Sequence, residues 1–178
     1  MVRDAGRTIW DVVAEQAERA PGQIAVRGER ELSYQEVCAS AAELSRRIAT
    51  TAPPGSLVAL DADAPRLGAI AILAAARAGC ALLPLNRDSP LRHRAAVLAD
   101  ARPAALLVAD GSDDDPAGLC LVEPDSGTDT PRTDLTGIAY VMFTSGSTGV
   151  PKGVPVSHTA LIDRLAGLAP RWPRSCSR

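Results

Sequence analysis

The sequence predicts an α/β fold: a mostly parallel, doubly wound sheet with helices on both faces. Three observations predict it. Segments that are apolar throughout recur at 57–60, 81–85 and 104–108, as strands buried on both faces do. Helical segments with their own start and stop signals separate them, which is the alternation of a parallel sheet with crossover helices. The 178 residues are 46% hydrophobic and 22% charged, which suits one globular domain and rules out a mainly disordered chain.

The elements follow in order. Thr8 is placed to cap a helix in which Ile9, Val12, Val13 and Ala17 keep helical spacing, and Pro21-Gly22 ends it. Ile24-Ala25-Val26 and Glu31-Leu32 flank Gly28 as arms of a short hairpin. Ser33 and Glu36 form an S-x-x-E capping box, with Leu32 and Val37 as its hydrophobic staple. The helix that follows carries Val37, Ala41, Leu44 and Ile48 on one stripe, so that face should be buried. Pro53-Pro54-Gly55 stops it. After strand 57–60, Pro65 opens an apolar helix that Gly79 closes. After strand 81–85, Ser89 as N-cap and Pro90 at the first helical position open a helix through Leu98.

The stretch 110–136 breaks the alternation. Asp110, Asp113, Asp114, Asp115, Glu123, Asp125, Asp129 and Asp134 stand against one base, Arg132. Adjacent side chains of a loop do not all converge on one ion, so this is read as a solvated acidic loop rather than a metal site. Residues 119–122 form a brief strand within it.

A formal net charge of −2 leaves no electrostatic footprint for nucleic acid or an anionic membrane. Cys38, Cys80, Cys120 and Cys176 are far apart, with no C-x-x-C pair and only two histidines in the chain. They are read as separate reduced thiols. The apolar run 67–76, bounded by Arg66 and Arg77, is shorter than the about 20 residues a spanning helix needs. Residues 1–7 lack the apolar core of a signal peptide. The expected location is the cytoplasm.

Chemistry concentrates after strand 138–143, in Thr144-Ser145-Gly146-Ser147-Thr148-Gly149-Val150-Pro151-Lys152-Gly153. Glycines let backbone N–H groups approach an anion closely. Hydroxyls add neutral donors, and Lys152 adds a mobile point charge for phosphate oxygens. Ligands of open α/β sheets bind beyond the carboxyl ends of strands, where this segment falls. It is not a Walker A loop: counting from Gly146, the second glycine of G-x-x-x-x-G-K-[ST] falls on Pro151. A strand before it, and Val154-Pro155-Val156 with Ser157 as a helix cap after it, argue against a flexible linker. His158, just inside that helix, is read as structural.

The run 140–158, YVMFTSGSTGVPKGVPVSH, resembles the phosphate-loop signature of the adenylate-forming (AMP-binding) superfamily, which includes nonribosomal peptide synthetase adenylation domains, acyl-CoA synthetases and luciferases. Residues 31–37 resemble that family's "LTYxEL" region, and 78–85 its "KAGxAYxPL" motif. These segments favour the N-terminal part of a peptide-synthetase adenylation domain, over about 1–169. Asn86 and Arg87 depart from that branch, where Asp and Pro are common.

The resemblance implies an enzyme that activates a carboxylic or amino acid with ATP and Mg2+ to an acyl-adenylate and pyrophosphate. The acyl group then passes to carrier-protein pantetheine or coenzyme A. Residue by residue, it assigns the pyrophosphate portion to Thr144, Ser145, Gly146, Ser147, Thr148, Gly149 and Lys152. The family's adenine and ribose contacts, acyl pocket and late catalytic lysine have no counterpart here. The tail 170–178, with two prolines and three arginines, does not continue the pattern. The expectation is a truncated, frameshifted or fragment product, inactive alone. The alternatives are an acyl-CoA synthetase fragment, or a non-catalytic module whose apolar surface packs on a partner chain.

Overall fold

The computed structural model describes residues 6–28, 30–109, 118–122, 131, 133–145 and 151–168. Along β3 (Leu57–Asp61), Val58 and Leu60 pack into one hydrophobic cluster, while Leu57 and Ala59 pack into another. Successive strand residues point to opposite faces, so a strand apolar throughout must be covered on both sides. β4 (Ala81–Pro84) divides in the same way, with Leu82 on the first face and Ala81 and Leu83 on the second. The first face is covered by α1 (Ile9–Arg19), α2 (Tyr34–Thr51) and α3 (Pro65–Arg77), with α5 (His158–Leu168) joining through Leu161 and Ile162. The second is covered by Val97, Leu98 and Ala101 of α4 (Leu91–Ala101).

The remaining strands are β5 (Ala105–Ala109), β6 (Leu119–Val122), β7 (Ile138–Ser145) and β8 (Pro151–Ser157). The sheet order is β6-β5-β3-β4-β7-β8. β5, β3, β4 and β7 run parallel, and β6 and β8 close the two ends antiparallel. From β3 the chain crosses through α3 to β4 on one side; from β4 it crosses back through α4 to β5 on the other. Reversing both direction and face keeps one hand of crossover, as the chirality rule demands. The predicted doubly wound sheet is therefore present, with mixed edges.

Local signals mostly behave as read. Thr8 caps α1 and Ser33 caps α2, each in a reciprocal capping box. Asp11 supplies the second half of the first box, a partner the sequence reading did not name. β1 (Ile24–Val26) and β2 (Leu32–Ser33) pair antiparallel. Val37, Ala41, Leu44 and Ile48 are all buried.

The start of α4 corrects the sequence reading. Pro90 is the N-cap, Leu91 is the first helical residue, and no side chain caps the helix. Asn86 is the cause. Its Oδ1 accepts the Asp88 N–H at 2.9 Å and its carbonyl accepts the Ser89 N–H at 3.1 Å. Ser89 is thus spent in a turn one residue too early. The helix also continues past Leu98 to Ala101.

Gly55, at φ +83°, is fixed by space as well as by conformation. A Cβ there would lie 2.5 Å from the Thr133 carbonyl oxygen, and the Gly55 carbonyl accepts from the Leu135 N–H at 3.0 Å. This contact ties the end of the acidic stretch to the amino edge of the sheet. Asp113-Asp114-Asp115 and the tail 170–178 lie outside the described residues. Among the described residues, no helix is long and apolar enough to cross a membrane.

Candidate functional site

β7 reaches the carboxyl edge of the sheet and returns as β8. The register sets Met142 opposite Val154, Phe143 opposite Gly153, Thr144 opposite Lys152 and Ser145 opposite Pro151. The sequence predicted a strand ending at 143 and a long loop holding Lys152. Instead the ladder takes in Thr144 and Ser145 on one side and Pro151 to Gly153 on the other. Prolines at 151 and 155 fit here because β8 is an edge strand, where a missing N–H breaks no inner ladder.

Thr144 and Lys152 are both exposed, and side chains facing each other across an antiparallel pair lie about 5 Å apart at Cβ. Their hydroxyl and ammonium therefore share one patch of the edge. Of the other residues assigned to phosphate, Ser145 is placed by its backbone in β7. Gly146, Ser147, Thr148 and Gly149 lie outside the described residues. The hairpin closes tightly behind them: a Cβ on Gly153 would meet the Phe143 ring and the Val141 Cγ1 at 3.1 Å.

Ser157 ends β8 and its Oγ accepts the Ala160 N–H at 3.2 Å, the capping role read from sequence. His158 is buried, and its Nδ1 accepts the Ile9 N–H at 3.4 Å. This bond joins the starts of α5 and α1 across 149 positions of sequence. Burial pulls the imidazole below its ordinary pKa, and the Asp11 carboxylate partly opposes that.

The edge holds further charge that sequence reasoning missed. β3 and β4 are the strands from which the chain departs in opposite directions, and the crevice beyond such a pair is where doubly wound folds place ligands. There Asp61 pairs with Arg94, and the Arg87 Nε lies 3.4 Å from Asp61 and 3.6 Å from Asp63. A neighbouring cavity of about 300 Å3 runs between Asn86, Ser89, His93 and Arg94 on one side and Met142 and Phe143 on the other. The available signal was positional: Asp61 ends β3, Asp63 stands two residues beyond it, and Arg87 stands three residues beyond β4.

The AMP-binding enzyme family matches the chain over residues 13–176. The chain belongs to that family. It is 33% identical, over 93% of its length, to the isonitrile lipopeptide synthase of Streptomyces coeruleorubidus, of which it spans 12%. It is 36% identical, over 86% of its length, to novobiocin biosynthesis protein H of Streptomyces niveus, of which it spans 29%. Among solved structures it is similar to the Klebsiella oxytoca NpsA N-terminal subdomain, with a TM-score of 0.66 and 24% identity over 85% of this chain and 43% of that one. That likeness shows the fold: this AMP-binding chain has the architecture of part of the N-terminal subdomain of the adenylate-forming fold.

Proposed function

We propose that this chain supplies the pyrophosphate-holding hairpin of a cytoplasmic adenylate-forming ligase, one that activates an amino or other carboxylic acid with ATP and Mg2+. The single observation that carries the reading is Thr144 standing opposite Lys152 at the carboxyl edge of the sheet. Both side chains fit a polyphosphate: the hydroxyl donates and the ammonium brings charge.

When bound, ATP supplies the α-phosphoryl centre and a pyrophosphate leaving group. The role of Lys152 is to offset the charge that builds on that leaving group. Thr144, together with Ser145, Gly146, Ser147, Thr148 and Gly149, orients it by donation. Similarity to relatives named as peptide synthetases supports an amino-acid substrate and a carrier-protein thiol as acceptor. Asn86 and Arg87 depart from that branch; the second reading makes coenzyme A the acceptor.

The chain by itself is proposed not to turn over, which its short span of the relatives supports. Titration with pyrophosphate, followed by NMR, should move the Thr144 and Lys152 signals saturably; unmoved signals would overturn the hairpin's role. Pyrophosphate exchange with a panel of amino acids should stay at background, and robust exchange would overturn the proposed inactivity.

A further inference from the structure

β7 and β8 lose their helical cover before they end. On the face that α1, α2, α3 and α5 cover, Tyr140 packs against the core, and its cross-strand partner Val156 is half-buried. Residues two apart along a strand share a face. The next two rungs on that face are therefore Met142 opposite Val154, then Thr144 opposite Lys152. All four residues are exposed, Met142 and Val154 at 45% each. The hydroxyl and ammonium thus adjoin an apolar rung about 7 Å back along the strands.

That rung stands on a packed support. Val141 and Phe143, which point to the other face, belong to the cluster that α4 covers. The Phe143 ring and the Val141 Cγ1 fill the space behind Gly153, where an added Cβ would meet them at 3.1 Å. An occupant of the exposed face therefore orders little of the protein on arrival.

The form of the patch selects the occupant. β8 is an edge strand, but Pro151 and Pro155 offer no N–H to an added strand. Two part-exposed side chains also present far less than the about 800 Å2 that each partner of a stable protein interface covers. Beside them stand one cation and one hydroxyl, which suit phosphoryl oxygens. A small molecule that is anionic at one end and apolar at the other matches both rungs at once.

We propose that these four residues bind an organic phosphate carrying a compact apolar group, in preference to a bare phosphate. Thr144 and Lys152 take the phosphoryl oxygens, and Met142 and Val154 take the attached group. This rests on the reading of Thr144 and Lys152 as phosphate residues and narrows it to a class of ligand. Covering about 60 Å2 of apolar surface corresponds to about a tenfold gain in affinity.

The test titrates the labelled full chain with methyl phosphate and phenyl phosphate, both as dianions, and with pyrophosphate. The two esters share a head group, and only the phenyl ring reaches the Met142–Val154 rung. Phenyl phosphate should bind about tenfold more tightly than methyl phosphate and should move the Met142 and Val154 methyl signals saturably. Met142→Gln and Val154→Thr, close in size to the parent residues, should each lower the phenyl-to-methyl affinity ratio about threefold. Lys152→Ala should weaken both esters. Should one apolar variant fail to fold, the other and the parent's ratio decide. Equal affinities for the two esters, or an undiminished ratio in both apolar variants, would overturn the proposal; saturable pyrophosphate binding would then leave the phosphate reading standing. Binding of none of the three ligands would overturn both. Self-association in sedimentation that Met142→Gln abolishes would give the apolar rung to a second copy of the chain, and would also overturn the proposal.

Discussion

Thr144 and Lys152 are cross-strand partners, not members of one loose loop: the β7–β8 ladder holds them face to face at the carboxyl edge of the sheet. The ladder fixes their spacing before any ligand arrives, so less ordering entropy is lost on binding. Lys152→Ala should lower pyrophosphate affinity by about tenfold, the scale of one charge-assisted contact. Thr144→Val should lower it less, and Lys152→Arg should keep part of it. Both positions are exposed, so chemical denaturation should show stability unchanged within about 0.5 kcal/mol. Titration calorimetry on folded variants checks the first outcome.

Gly153 should tolerate no side chain while Phe143 is in place. A Cβ would press on the ring and on Val141 at 3.1 Å, and such overpacking costs about 1–3 kcal/mol. Gly153→Ala should therefore lower the denaturation midpoint. In a double-mutant cycle, Phe143→Ala should absorb part of that loss, because the ring is what the new methyl meets. Additive losses in the cycle would show that the ring is not the obstacle.

The layered sheet was legible because strands buried on both faces must be apolar throughout, and 57–60, 81–85 and 104–108 are. Capping was legible where a side chain does the capping, as at Thr8 and Ser33. It failed at Ser89, where Asn86 forms a turn that no pattern at 89–90 reveals. The residue types of the phosphate segment were legible, but its hairpin was not. Glycines, hydroxyls and two prolines suggest a loop locally, and only pairing with β7 makes Pro151–Ser157 a strand. The Asp61, Arg87 and Arg94 cluster was hidden for the same reason: it is assembled by strand order, not by spacing in sequence.

Cys80 should be inert in the native protein. Burial pushes its thiol up to about 11, and its Sγ–H lies 3.6 Å from the Pro53 carbonyl oxygen. Alkylation needs the thiolate, so iodoacetamide at neutral pH should leave Cys80 unmodified until denaturant is added. Cys38, half-buried and raised less far, should react first of the two. Peptide mass spectrometry before and after unfolding reads the order.

His158 should make stability fall as pH drops through the weakly acidic range. Its native pKa is held below the ordinary 6.5, by burial first, with Asp11 partly opposing. Between that depressed value and 6.5 the unfolded chain binds more protons than the folded one, so stability rises with pH across this window and is complete above it. Protonation would also place a donor on Nδ1, where the Ile9 N–H now donates. The slope should be absent from His158→Gln, whose side chain does not titrate. Asp11 does not confuse the reading. Its native pKa is lowered from 3.8 by the Thr8 backbone N–H and hydroxyl and by Arg7, so its contribution is present above 3.8 and is lost only at more acid pH. Urea midpoints across the acid range, for the parent and His158→Gln, should separate the two windows; equal slopes between pH 3.8 and 6.5 would show that His158 is not the group that titrates.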